Sequence, residues 1–283
     1  MKNTPIVRTL TLGLLIGAFT APPVLAGHHE GRELLERVAA KVGSYADLWA
    51  MKDVEYTYTY RDNATGTSDV STERYLFDGE LSWAKYTTHE KFIFPGVEGT
   101  PVQGWDGKTA WVTLDGKPVT DEAAVGLAAF MRPTNFYWFA MMQKLLDPGT
   151  IHTHKGQRAY KGVEYDLVEL KFDVPEGTPA DIYLLYVNPK THLIDAFLFT
   201  VVDFGLIDEP FLMEVEYETF GKVMLPVTRR YTPSSWEGEV PADAVWVDEI
   251  MQNLKFDNGF TPNDFAPPPA AVSGDLKLIF DGC

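Results

Sequence analysis

The chain of 283 residues has a single cysteine, Cys283 at its end. No disulfide can form within it, so stability rests on buried apolar surface, which a chain of this length can supply. Basic residues are also scarce. There are 24 Lys and Arg against 40 Asp and Glu, a formal net charge of −16 at pH 7. That balance repels nucleic acid and anionic membrane surfaces. No Gly-x-Ser-x-Gly, His-Glu-x-x-His, glycine-rich phosphate loop or Cys-x-x-Cys occurs. The common hydrolase, nucleotide and metal signatures are therefore missing, no catalytic residue stands out, and no cofactor is implied. No internal repeat is visible.

Long apolar runs are confined to the N-terminus. Lys2 and Arg8 precede the apolar stretch Leu10 to Ala21, which is followed by Pro22-Pro23 and Val24-Leu25-Ala26. About twelve apolar residues cannot cross a hydrocarbon core that needs about twenty. Residues 1–26 therefore read as a cleavable signal peptide and not as an anchor, with Gly27 as the first mature residue. No cysteine follows the stretch to accept a lipid. The mature protein is expected free in the periplasm or secreted.

The first mature element is an amphipathic helix. Leu34, Leu35, Val38, Ala39 and Val42 recur at helical spacing, and Gly43 offers a stop. From Val54 the period changes to two, and short β-branched and aromatic runs alternate with tight turns as far as Phe256. Lys91–Phe94 is among these runs. The pattern predicts an α+β fold that is mainly β: one strongly curved antiparallel sheet of about eleven strands with helices on its concave face. One stretch interrupts it. Asp121 opens a predicted helix through Met131, and Pro133 suits the first turn of a second helix to Leu146. This second helix has almost no polar face, so it must be buried all round or lie against something apolar. Residues 27–260 form the predicted β domain. Residues 261–283 form a proline-rich tail, extended or mobile, in which Leu276–Phe280 is a candidate edge strand.

Particular residues carry candidate chemistry. His152 and His154 sit two apart on a strand, and His28-His29-Glu30 lies near the mature N-terminus; both pairs of imidazoles could ligate a metal, but a solvent-facing strand and a mobile chain terminus account for them better. Asp62, Asn63 and Asp69 are better explained by a hairpin turn than by calcium. No metal site is assigned. The aromatics and methionines admit two readings, plain core or the wall of a cavity for an apolar ligand. The candidate wall comprises Phe130, Met131, Phe136, Trp138, Phe139, Met141 and Met142 of the helical stretch, with Tyr56, Tyr58, Trp83 and Trp111 of the strands.

Three segments carry a family likeness. Trp105-Asp106-Gly107-Lys108-Thr109-Ala110-Trp111 with Leu114-Asp115-Gly116-Lys117, the hairpin Tyr186-Val187-Asn188-Pro189-Lys190-Thr191-His192-Leu193, and Leu225-Pro226 resemble motifs of the LolA/LolB-like superfamily of periplasmic lipoprotein carriers. The resemblance spans roughly Leu34 to Phe256. It implies an incomplete, half-open antiparallel barrel around helices, with a concave apolar face for acyl chains, and it brings no individual functional residues with it. The expected function is non-enzymatic binding of a lipid or other hydrophobic molecule, with no nucleic acid partner and no stable membrane insertion. An envelope enzyme using paired carboxylates and a protein-partner module that offers a sheet edge are the alternatives.

The leader makes a direct prediction. Mass-spectrometric sequencing of the exported protein is expected to find Gly27 at the N-terminus, and an intact Met1 in a membrane fraction would overturn this reading.

Overall fold

The computed structural model describes residues 23–268. The greater part of the expected signal peptide, the segment Leu276–Phe280 and Cys283 lie outside the described residues. The elements run α1 (Pro23–Val42), α2 (Tyr45–Trp49), β1 (Asp53–Asp62), β2 (Thr67–Leu76), β3 (Leu81–His89), β4 (Pro101–Trp105), β5 (Ala110–Leu114), β6 (Lys117–Pro118), α3 (Glu122–Lys144), β7 (Thr150–Tyr160), β8 (Val163–Phe172), β9 (Tyr183–Val187), β10 (Ile194–Val201), β11 (Leu206–Phe220), β12 (Val223–Pro233) and β13 (Val247–Phe256). Every strand pairs antiparallel in one sheet, in the order β6-β5-β4-β3-β2-β1-β13-β12-β11-β10-β9-β8-β7. The sheet is open, a half-barrel with α3 and α1 on its inner face. Among the described residues no helix is long and apolar enough to cross a membrane.

The topology follows from the turns. β1 to β6 step outward to one edge, α3 crosses to the other edge, and β7 to β13 step back until β13 pairs with β1. Gly43, with φ +91°, ends α1, and a Cβ there would meet the Lys222 carbonyl oxygen at 2.6 Å. Asn188 builds its hairpin turn by accepting the Lys190 and Thr191 amides at 3.0 and 3.3 Å. Pro226 has no amide to donate, and the β11–β12 register shifts beside it, between Glu216 and Tyr217.

The strand and helix counts both depart from expectation. Among the described residues there are thirteen strands where about eleven were expected, the least visible being β6, only 2 residues long. Lys91–Phe94 is not a strand, because side chains take its backbone groups. Asp69 accepts the Lys91 and Phe92 amides at 2.8 and 3.0 Å, and the His89 ring reaches the Ile93 and Phe94 carbonyls. The expected pair of helices is one helix of 23 residues with Pro133 inside it. Asp121 caps it, accepting the Ala124 amide at 3.0 Å. Pro133 removes one helical hydrogen bond, but packing on both sides carries the helix through.

That packing divides the inner core into three parts. Ala124 and Ala128 meet β3–β5, Phe136, Phe139 and Ala140 meet Tyr56, Tyr75 and Phe77, and Met141, Met142 and Leu145 meet α1 and β8–β11. The outer face carries two further apolar patches. Trp236, Val240 and Trp246, in the segment before β13 and just ahead of it, cover Tyr165, Leu184, Tyr186 and Leu198. Phe265 is fully buried against Leu76 and Leu81 beyond β13. The chain is turned onto that patch by Asp53, whose carboxylate accepts the Asn258, Gly259 and Phe260 amides at 2.7, 2.9 and 3.1 Å.

Amid this core Arg132 and Glu73 are fully buried, with 2.6 Å between Nη1 and Oε2. Ser71 Oγ donates to Glu73 Oε1 at 2.7 Å, and Arg132 Nη2 donates to the Tyr86 hydroxyl at 3.0 Å. Burial alone would favour a neutral guanidine, but the charge and hydrogen bond of Glu73, together with the Tyr86 and Tyr75 hydroxyls, outweigh it and hold Arg132 well above its ordinary pKa. Either group without the other is an uncompensated buried charge. Arg132→Met or Glu73→Gln is expected to lower stability in urea unfolding by about 3–5 kcal/mol, and Arg132→Met with Glu73→Leu to regain much of that loss. A single variant within about 1 kcal/mol of the wild type would show the pair to be dispensable.

Candidate functional site

Successive positions of α3 alternate between two environments. Ala124, Ala128, Arg132, Phe136, Phe139, Ala140 and Gln143 are buried in the fold. Leu127, Phe130, Met131, Thr134, Asn135 and Trp138, three or four residues apart around them, form a second stripe that faces a cavity of about 310 Å³. The opposite wall comes from both arms of the sheet: Tyr58 and Tyr60 of β1, Asp69 of β2, Tyr86 of β3, Phe199 and Val201 of β10, Phe211 of β11, Tyr231 of β12 and Glu249 of β13, with Phe92 from the loop after β3. A second cavity of about 310 Å³ adjoins it, sharing Phe130, Thr134, Trp138 and Val201 and adding Pro133, Tyr137, Phe172, Asp181, Tyr183, Thr200 and Asp203.

Polar groups of the first cavity are mostly engaged by the protein. The Tyr60 and Tyr231 hydroxyls share a hydrogen bond, and burial, more than any neighbour, pushes Tyr60 up to about 12. Asp69 is raised by burial against the opposing pull of the amides it accepts. Glu249 pairs with Arg229 at 2.7 Å, and Arg229 Nη1 donates to the Trp138 carbonyl at 2.8 Å. Arg229 thus fixes the point of α3 from which Trp138 projects. Trp138 in turn stacks on Phe197 at 5.7 Å and meets Phe199 edge-on at 5.1 Å. Among the described residues lining the two cavities there is no His, Cys, Ser, Lys or Arg. Chemically, this is a wall for an apolar molecule with a few hydroxyl, amide and carboxylate groups at its margin.

The candidate wall residues fall in three places. Phe130, Met131, Trp138 and Tyr58 line the first cavity. Phe136, Phe139 and Tyr56 pack in the central core, and Met141 and Met142 in the core against α1. Trp83 and Trp111 are on the outer face: the Arg74 guanidinium lies 4.5 Å from the Trp83 ring, and Trp111 Nε1 donates to the Phe265 carbonyl at 2.8 Å. Trp111 also lies so close to Gly104 that a Cβ there would be 2.2 Å from its ring. Leu127, Thr134 and Asn135 were missed, although their spacing with Phe130, Met131 and Trp138 is a helical stripe. Dividing the helix at Pro133 hid it.

The histidines and turn acids have structural partners. His152 is buried with Nε2 2.8 Å from the Leu145 carbonyl oxygen, His28 Nδ1 lies 2.7 Å from the His152 carbonyl oxygen, and His154 faces Glu30 at 2.9 Å. Asp62 accepts the Ala64 amide of its hairpin at 2.8 Å. No group of three or more His, Cys, Asp or Glu side chains suited to a metal occurs among the described residues.

With this geometry in place, the likeness to known proteins is one of fold. The sequence profile of DUF6503, a family of unknown function, matches residues 125–206, which include the cavity stripe of α3 and all of β10. No curated protein matches the sequence. A DUF1329 family protein from Desulfovibrio piger superposes with a TM-score of 0.50 at 13% identity, covering 85% of this chain and 97% of that one. A domain assigned as an outer membrane lipoprotein-sorting protein from Vibrio parahaemolyticus gives 0.50 at 12% identity, covering 84% and 97%. A LolA superfamily protein from Nitrosomonas europaea gives 0.47 at 14% identity, covering 83% and 97%. The half-barrel of this chain has the fold of the lipoprotein-sorting and DUF1329 structures, as the hairpin motifs imply.

Proposed function

We propose that this chain is a non-enzymatic protein of the cell envelope, exported by its leader, that binds a lipid or another acyl-chain molecule on the inner face of the half-barrel. The observation that carries this reading is the aromatic cavity of about 310 Å³ between α3 and both arms of the sheet. A helix with little polar surface is accounted for on one side by core, and on the other it faces this space. Each CH₂ moved from water into such a wall gains about 0.8 kcal/mol, so the cavity needs no covalent chemistry to retain a chain. The assigned role of the Vibrio parahaemolyticus domain supports the reading by analogy of fold.

Two substitutions separate cavity from core. Leu127→Trp places an indole in the cavity and is expected to weaken binding of a neutral naphthylamine dye by about tenfold or more, with little change in stability. Met142, 1% exposed and packed against α1, is core. Met142→Ala is expected to lower stability by about 2–5 kcal/mol and leave dye affinity unchanged. Fluorescence titration and urea unfolding on the same samples decide it. A wild-type protein that binds no dye at micromolar concentration would overturn the proposal.

A further inference from the structure

The second cavity differs from the first in its charge. Its two carboxylates, Asp181 and Asp203, have no cationic partner among the described residues that line it. Asp181 is half-buried and, among the described residues, accepts the Val202 amide at 2.8 Å and the Thr200 hydroxyl at 3.4 Å. Burial, and then the like charge of Asp203, raise it above the ordinary carboxylate range. In the first cavity the corresponding charges are answered from within: Glu249 by Arg229, and Asp69 by backbone amides. Lys91, on the loop that brings Phe92 to the wall, is itself paired with Asp62 at 2.5 Å.

Beside these two carboxylates, which have no cationic partner among the described residues lining the cavity, stands a cluster of aromatic rings. Tyr137 lies 6.4 Å from Phe172 and 6.5 Å from Tyr183, and Tyr183 lies 6.2 Å from Phe172 and 6.0 Å from Trp138. Ring faces attract cations, most strongly where water is partly excluded, so aromatic rings lining a cavity favour an alkylammonium group over an anion. Trp138 belongs to both cavities, so a molecule with its chain in the first has its polar end directed to the second.

We propose that the ligand is an amphiphile with a cationic, alkylammonium-type headgroup, seated between Asp181, Asp203 and the rings of Tyr137, Trp138, Phe172 and Tyr183, and that carboxylate- or phosphate-headed lipids are disfavoured. This deepens the hydrophobic-ligand reading and rests on it. A bound cation relieves the repulsion between the two carboxylates, whereas an anion adds to it.

The test displaces the neutral dye with decyltrimethylammonium or decyl sulfate, each below its micellar concentration, so that the chain is constant and only the headgroup charge changes. The ammonium compound is expected to displace dye at a concentration lower by about tenfold or more. Because the whole protein is acidic, the same comparison is made on Asp181→Asn with Asp203→Asn, and on Glu176→Gln, an exposed control. The double variant is expected to reduce the preference to about threefold or less, each displacement being referred to that variant's own dye affinity, and the control to keep it. Asp203 is exposed, so Asp203→Asn alone serves if the double variant fails to fold, with a partial reduction expected. Equal displacement by the two headgroups, a stronger effect of the sulfate, or a preference that survives the Asn substitutions would overturn this proposal while leaving the carrier reading intact. Failure of the wild type to bind the dye would overturn both.

Discussion

The inner architecture depends on a charge that has no access to water. Arg132 is enclosed at the middle of α3, and only Glu73 on β2 and the tyrosine hydroxyls around them make that enclosure tolerable. The pair fixes the rotation of α3 about its axis, because turning the helix by one residue would leave both ions unpaired in an apolar interior. With the rotation fixed, every other position follows. Phe136 and Phe139 must enter the core, and Leu127, Phe130, Thr134 and Trp138 must stand on the side where the cavity lies. Arg229 repeats the device further along the helix, joining the Trp138 carbonyl to Glu249.

The sheet was largely legible in the sequence, for a local reason. Alternating apolar residues and tight turns specify strands one hairpin at a time, and this fold is built almost wholly of sequential hairpins. The errors came where side chains replaced backbone. Lys91–Phe94 has the composition of a strand, yet Asp69, 22 residues before Lys91, takes its amides, and the ring of the nearby His89 takes its carbonyls, a side-chain pairing that strand periodicity does not register. Pro133 misled in the same way. Proline ends an isolated helix, but here the packing of both flanking turns outweighs one absent hydrogen bond.

The cavity wall was legible only in part, in four of the eleven candidate residues. Phe130, Met131, Trp138 and Tyr58 stood out because large aromatic and sulfur-bearing side chains mark either a core or a binding wall, and composition alone does not separate the two. What separates them is phase along the helix, and phase was lost when the helix was divided. Trp83 and Trp111 show a different limit. In a strand the parity of a residue places it on one face or the other, but which face is the inner one is decided by where α3 lies. The outer face is itself partly apolar here, covered by the segments around Trp236 and Phe265.

The route of the chain has a consequence for the life history of the protein. Each arm is a run of neighbouring hairpins that needs no distant partner, whereas the seam between β1 and β13 joins residues nearly two hundred positions apart, such as Tyr58 with Met251. Local contacts form early and long loop closures late. The aromatic cavity draws its walls from both sides of that seam, so neither arm possesses it alone. A nascent chain leaving the ribosome, or a fragment clipped within either arm, therefore has hairpins but no receptacle. The cavity arises in one step, when the last strand finds the first.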